Sequence, residues 1–494
     1  MVEQIATNAT KNEGSVLSFR VVKTGVLIFW SIIIGIASVR VAFSLIQKKP
    51  DVGLCLGHFV YGDGIVSTDT ERKETGQIVV ISVKTIFVDT KNLVVLSPQK
   101  VVDQYSCRSD LLVRMKTKLY PRFKYGDQIN FFGKLSSPFN FSNNNGSTFD
   151  MQGYLAKDDI FYEIKSARIT GVATTSENTR VFDNPNWLDG AQGFVIGKLF
   201  SLKRRFVGNL ERVLGEPYTA LASGLVVGEK SALGPKLLED FRTVGLIHIV
   251  VLSGFNITIV AYALRKVLSG LPRIWGIVIG GIGMFLFCIL VGGGATVIRS
   301  CFMASIALIA DVTRRGYNVF RALIFVALIM LIQNPMILFH DPSFQLSFLA
   351  TLGLILLASP IEKRLKYIPD RFGMRGTVAA TLSTQIFVSP FILYLMGQLS
   401  LIGVVVNILV LPFIPMTMLV VFLSGVFGFV SQIISQVIGW GAHILLAYEL
   451  LIVQNFARIP FASLRTPSFS VWFVVAFYVV FLAVYVYVNR RKET

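Results

Sequence analysis

The stretch DFRTVGLIHIVVLSGFNIT, residues 240–258, is an apolar run that carries His248, Ser253, Gly254 and Asn256 within a few turns of one another. Polar side chains and Gly-interrupted backbone at membrane depth cost several kcal/mol unless they face protein or water. Singly, each residue fits a hydrogen bond between helices. Together they point to a polar pathway. A Ser/His hydrolase is the other chemistry these types could do. Along one helix, however, His248 and Ser253 are about 140° apart, and no GxSxG elbow surrounds Ser253.

Further features resist a packing account. In GGGATVIRS, residues 292–300, Gly292, Gly293 and Gly294 break a helix or let two backbones approach closely, just before Arg299. Broken helices free amides and carbonyls at membrane depth, where transport paths are commonly lined. An intramembrane Arg needs a partner or water, and Asp311 lies further along the same run. In QNPMILFHDPSFQLSFLATLG, residues 333–353, Pro335 and Pro342 bracket a short connection, and Gln345 and Ser347 enter the next apolar run. Ser389, Pro390 and Tyr394, and then Asn407, Pro412 and Pro415, set polar groups beside helix distortions. Interrupted helices of this kind suit a channel or transporter. The run GLVVGEKS, 224–231, has the wrong spacing for a phosphate-binding loop.

These residues need a bilayer around them. The chain has 494 residues, 53% hydrophobic and only 15% charged, with a mean hydropathy of +0.63. That excludes an ordinary soluble domain and reads as a polytopic α-helical membrane protein. The formal charge of +18 suits anionic headgroups or a polyanionic cargo, and says nothing by itself of nucleic acid. The cysteines, Cys55, Cys107, Cys288 and Cys301, have no metal-ligand spacing, so neither a metal nor a cofactor is expected. Cys55 and Cys107 fall in the polar N-terminal segment and are a candidate disulfide.

The chain divides as follows. Residues 1–23 are a polar tail on the cytoplasmic side, and 24–46 are a first transmembrane helix. Residues 47–185 alternate like strands in QIVVISVKTIF, NLVVL, DLLVRMKTK, DQINFFGKL and IFYEIKSARI. About five strands suit a small barrel such as an OB-fold, giving an external all-β OB-like domain. Phe123, Tyr125, Phe131, Phe132, Phe139 and Phe141, beside Lys116, Lys118, Arg122 and Lys124, could stack and neutralise a single strand. An ordinary core with a solvated basic rim accounts for them equally. Residues 190–216 read as an amphipathic helix on the membrane surface.

From 217 to 489 the chain is nearly all membrane, with runs near 244–264, 274–297, 298–312, 320–339, 343–361, 376–397, 399–425, 429–454 and 469–488, or about ten spans with the first helix. The positive-inside rule places the basic connections and the 490–494 tail in the cytoplasm, both termini inside and the β domain outside.

At the level of whole motifs the chain resembles the ComEC-type competence proteins of the bacterial inner membrane. The resemblance is carried by FKYGDQINFFGKLSSPFN, by GLVVGEKSALGPKLLEDFRTVGLIHIVVLSGFNITIV, by GGGATVIRSCFMASIALIA and by NPMILFHDPSFQLSFLATLGL. It implies an inner-membrane channel passing single-stranded DNA into the cytoplasm during transformation, with no catalytic centre of its own. His248, Ser253, Gly254, Asn256, Arg299, Gln345 and Ser347 would line or shape the path. A cytoplasmic helicase-like motor and a separate nuclease or DNA receptor are the implied partners. Members commonly carry His where this chain has Asn256, an amide that does not titrate near neutral pH. Longer members add a metallo-β-lactamase-like domain. The four histidines here form no HxHxD cluster, so nuclease activity is expected elsewhere. The rival reading is a transporter or flippase for an anionic lipid or glycan, and an intramembrane hydrolase is more distant.

Overall fold

The computed structural model describes residues 35–36, 38–42, 50–73, 76–88, 107, 111–142, 146, 148–173, 187–229, 233–250, 252–313, 316–367 and 373–493. The tail 1–23, most of the expected first membrane helix and the expected strand at 92–96 lie outside the described residues.

The N-terminal body is a closed β barrel. Its strands are β1 (Phe59–Val66), β2 (Glu71–Lys73), β3 (Gly76–Val88), β4 (Leu111–Thr117), β5 (Gln128–Ser136), β6 (Phe141–Ser142), β7 (Thr148–Phe149), β8 (Ile160–Ile164) and β9 (Arg168–Ala173). β1 pairs antiparallel with both β3 and β5, β3 with β4, and β5 with β8, while β4 and β8 run parallel, so five strands close a ring. Alternation puts Ile81, Val83, Val113, Met115, Ile129 and Phe131 inside, each at most 1% exposed. The expected strand at 160–169 is two, β8 and β9. β1 escapes a pattern search because Gly62 and Gly64 interrupt its apolar alternation. A side chain at Gly64 would meet the Ser82 carbonyl oxygen at 2.9 Å, beside a register shift at Asp63/Gly64. Cys55 and Cys107 stand with Cα atoms 6.4 Å apart, within disulfide reach.

A short helix, α1 (Met151–Ala156), precedes β8. It is capped by Asp150, whose Oδ1 accepts from the Gly153 N–H at 3.0 Å. The helical body follows: α2 (Trp187–Glu211), α3 (Tyr218–Val227), α4 (Pro235–Thr243), α5 (Ile247–Val250), α6 (Gly254–Leu268), α7 (Arg273–Val291), α8 (Ala295–Val312), α9 (Val319–Gln333), α10 (Ile337–His340), α11 (Pro342–Arg364), α12 (Met374–Met396), α13 (Gly403–Val410), α14 (Ile414–Phe427), α15 (Gln432–Ala457) and α16 (Val471–Glu493), with β10 (Gln398–Ser400) pairing β11 (Ser463–Arg465).

By length and composition, α7, α11, α12 and α15 are each able to cross a membrane among the described residues, and α13 with α14, bent by 50°, makes a fifth candidate. α3, α9 and the apolar segments Ala295–Ala310 of α8 and Val471–Tyr485 of α16 are shorter. The chain is thus mostly helical with four to five clear candidate spans, fewer than the ten read from hydropathy.

Two expected elements differ. The run 244–264 is no single helix: Gly245 takes φ +77°, α5 is only four residues, and Ser253 is extended at φ −94°, ψ 167° before α6 begins. The helix expected on the membrane surface, α2, is instead a strut between the two bodies. Its Lys203 is 8% exposed and reaches Asp69 of the barrel at 3.1 Å, and Phe200 meets Tyr125 edge-on at 5.7 Å. Further along, Phe206 packs over Gly425 of α14, and Asn209 Nδ2 donates to the Gly425 carbonyl at 3.1 Å.

Candidate functional site: an arginine-bearing cavity through the helical body

A cavity of about 3840 Å³ opens among α6, α8, α11, α12 and α13. α11 contributes lining residues from Pro342 to Glu362, α12 from Met374 to Met396, and α6 from Gly254 to Arg265. Because these helices line it from first turn to last, and twenty residues of helix rise roughly 30 Å, the cavity runs the length of the body. At one end stand Phe141 and Phe149 of the barrel with Arg242 and Arg465. At the other stand Arg265, Arg321 and Glu362. Among the described residues its lining carries Arg242, Arg265, Arg299, Arg321 and Arg465 against Glu239 and Glu362, so it favours anions. Arg465 and Arg242 both pair with Glu239, at 3.2 and 3.6 Å.

Arg299 lies in the second turn of α8. The glycine turn before it works through backbone conformation: Gly292 and Gly293 have φ of +96° and +60°, and the Gly293 N–H donates to the Cys288 carbonyl at 3.0 Å, ending α7. A side chain at 292, 293 or 294 would meet open space, so these are helix-breaking glycines and not points of close approach. Arg299 is 8% exposed. Its Nε donates to Ser347 Oγ at 2.7 Å, Nη2 to Ser300 Oγ at 3.2 Å, and Nη1 to Met303 Sδ at 3.2 Å. Among the described residues no carboxylate pairs with it. Asp311, twelve residues on, stands roughly 18 Å away along the helix. A buried guanidinium held by hydroxyls and a thioether keeps its full charge available to an anion in the cavity.

Gly254 opens α6 directly against this arginine. A Cβ there would lie 2.7 Å from Arg299 Nη2 and 2.9 Å from Ser300 Oγ. The first turn of α6 thus presents its unsatisfied N–H groups and positive dipole end beside a guanidinium, both of which favour an anionic oxygen.

The remaining candidates divide. Ser253, Ser347 and His248 line the cavity with Gly254 and Arg299. His248 Nδ1 donates to the Gly245 carbonyl at 3.0 Å, and Ser253 Oγ donates to Asn256 Oδ1 at 3.1 Å. Each is thus committed elsewhere and the two form no Ser–His pair.

Asn256 does not face the cavity. It is 0% exposed, and its Nδ2 donates to the carbonyls of Leu225 and Ile249, both at 3.2 Å. It clamps the break between α5 and α6 onto α3. Gln345 likewise turns back, donating to Leu338 and Phe339 carbonyls at 2.8 and 3.2 Å at the end of α10. Neither lines the cavity. Thr258, Thr296, Ser300, Thr381, Thr384 and Gln385 line it as well. For Thr381, Thr384 and Gln385 the TLSTQ run at 381–385, polar inside an apolar helix, is the visible signal.

On the barrel, Phe123 is a core residue, 4% exposed, and Tyr125 is turned onto the strut. Neither offers an open ring, which corrects the expected stacking role. Lys116, Lys118, Arg122 and Lys124 are exposed and remain a basic rim.

A second fastening joins barrel and helices. Asn334 Nδ2 donates to the Lys157 carbonyl at 2.6 Å, Lys157 Nζ lies 3.6 Å from Asp341, and His340 Nε2 lies 3.6 Å from Asp150. Burial pulls the Lys157 ammonium down, but Asp158 and Asp341 outweigh it and hold its pKa above the ordinary lysine value. Burial also raises the phenol of Tyr154 beside it.

The chain belongs to the family described as Competence protein, whose profile matches residues 225–491, more than half of its length. The ComEC-type resemblance read from the motifs is thereby borne out. It is 25% identical over 218 residues to ComE operon protein 3 of Bacillus subtilis, covering 44% of this chain and 27% of that one. It is 36% identical over 106 residues to Competence protein ComA of Neisseria gonorrhoeae, covering 19% of this chain and 15% of that one. An uncharacterized protein of Aquifex aeolicus is 29% identical over 194 residues, 38% of this chain and 46% of the relative. The matched segments thus span less than half the length of these curated relatives. No solved structure matches the chain.

Proposed function

We propose that this protein passes single-stranded DNA through the cytoplasmic membrane during transformation. The observation that carries the reading is the arginine-lined cavity running roughly 30 Å through the helical body, with Arg299 buried in its wall and unpaired by any carboxylate among the described residues. That length matches the hydrocarbon thickness of a bilayer. Hydration or neutralisation of each phosphate calls for a wide, polar, cationic passage, and the competence family match and the name of one relative, Competence protein ComA, point the same way.

In this reading the helices α3, α8, α9 and α16 complete a bundle of about ten spans with the first helix. The five-strand ring, with its one parallel pair, is an OB-like domain on the external side, and the ends at Arg265 and Arg321 are cytoplasmic, as are both termini. Cys55 and Cys107 form a disulfide there. Movement is driven from outside the channel by a cytoplasmic motor, and a separate nuclease or DNA receptor supplies the strand.

The test is uptake of labelled DNA by cells with and without this gene, scoring surface-bound and internalised label separately. Loss of internalised label with surface binding intact supports the channel. Unchanged uptake in a genome with no second copy discards it in favour of an anionic lipid or glycan transporter.

A further inference from the structure

The connection between β5 and β8 carries a feature the transport reading does not itself require. β6 and β7 form a two-stranded hairpin, with Phe141 paired to Phe149 and their rings stacked at 5.2 Å. Tyr154 of α1 backs Phe149 at a tilt of 56°, ring centres 5.7 Å apart. The ring of Phe139 is 72% exposed and that of Phe141 46% exposed. Isolated aromatic rings at this exposure on a small barrel would ordinarily be drawn into its core, but here the core is already filled and these rings stand outside it. Lysines flank the row: Lys165 Nζ lies 5.6 Å from the Phe139 ring centre and Lys157 Nζ 4.8 Å from that of Tyr154.

Position and charge say what covers these rings. Phe141 and Phe149 line the mouth of the cavity, continuous with Arg242, Arg465 and, deeper, Arg299. A ligand lying on the hairpin therefore enters a cationic passage, which selects a molecule with flat apolar faces strung on an anionic backbone. The loop after β1, the other loop by which small barrels of this type hold oligonucleotides, is engaged elsewhere, since Asp69 is bound by Lys203 of the strut. The β5–β8 connection is left facing the cavity.

Resting on the transport reading, we propose that Phe141 and Phe149 are a stacking platform that takes the unpaired bases of a single strand at the cavity mouth and aligns its phosphates with the arginines behind. Stacking accepts every base, because each has a π face, so the platform is indifferent to sequence. It also excludes duplex, whose bases are already stacked upon one another.

The experiment uses the full-length protein purified in detergent and two fluorescent strands of about 16 nucleotides, one of thymidylate and one abasic throughout. Both carry the same phosphates, so anisotropy titrations isolate the contribution of the bases. Wild type should bind the base-bearing strand about tenfold tighter, the factor that ~1.4 kcal/mol of stacking gives. The pair Phe141→Ala and Phe149→Ala should bring it down to abasic affinity and leave abasic binding unchanged. The pair Phe141→Tyr and Phe149→Tyr should keep the preference, and it decides the matter if the alanine pair loses all binding. Equal affinity for both strands in wild type, or a preference that survives the alanine pair or disappears in the tyrosine pair, overturns the platform. Cellular uptake separates the two readings: uptake with no base preference leaves the channel and removes the platform, whereas base preference without uptake does the reverse.

Discussion

The barrel and the helical body both bury apolar cores, yet they differ in what their outer surfaces carry and in where their polar side chains go. In the barrel, apolar residues such as Phe131 and Ile81 point inward at 1% exposure or less, and lysines and arginines stand outside. In the helical body, Trp440, Ile433, Val437 and Trp472 point outward at 71–76% exposure, while Asn256, Ser383, Thr417 and Ser424 are fully buried. The barrel is built against water and has a dry, filled centre. The helices are built against hydrocarbon, which gives no reward for hiding an apolar side chain, so their centre is free to hold polar groups and an open passage. The centre of the barrel is filled, whereas the helical body holds a cavity beside its core.

The largest expected effect breaks the full region. Phe131→Ala should cost about 3–5 kcal/mol. Hydrogen exchange on the whole protein should show β3, β4 and β5 losing protection while α14 and α15 keep theirs. Spread of that loss into α14 would mean that the two regions fold as one.

Next, Arg299→Ala should lower internalised DNA roughly 30-fold, the factor that ~2 kcal/mol corresponds to, at unchanged protein level. Arg299→Lys keeps the charge but loses the fork that meets Ser347 and Ser300, and should fall between. Uptake by the alanine variant close to wild type would remove Arg299 from the path.

Smaller again, Gly425→Val puts methyl groups where Phe206 packs. It should weaken the strut's hold on α14 by about 1–3 kcal/mol, read as lost exchange protection confined to α2 and α14.

The smallest effect concerns pH. Because the folded pKa of Lys157 is raised, its contribution is present below the unfolded lysine value and is lost only as pH rises through the higher folded one. The thermal midpoint of wild type should exceed that of Lys157→Met by a constant margin from pH 7 to pH 9, and the margin should shrink only above about pH 10.4. A margin that changes near neutrality would show that another group governs this seam.

What was legible follows from the same contrast. Period-two alternation revealed β3, β4 and β5 because one face of each is dry, and it missed β1 because Gly62 and Gly64 carry no side chain to alternate. Hydropathy revealed the helical body, yet it merged 244–264 into one span, since Gly245 and Ser253 change the backbone and not the composition. Arg299 and Ser347 each stood out as polar residues in apolar runs. Their hydrogen bond joins positions 48 residues apart and belongs to tertiary packing. For Asn256 and Gln345 the sequence marked polar positions but not their direction: an amide that clamps a broken backbone and an amide that faces water look alike in one dimension.

The fastening at 334–341 bears on traction. A strand pulled inward tugs on whatever holds its bases, and the hairpin is anchored beside α1, whose end is tied through Lys157 to Asn334 and Asp341. Asp341 caps α11, and the second turn of α11 carries Ser347, which grips Arg299. If the protein passes a strand as proposed, tension at the mouth is delivered, along one short stretch of chain, to the helix that sets the guanidinium's position, so a protein under pull and a protein at rest should hold their phosphates differently.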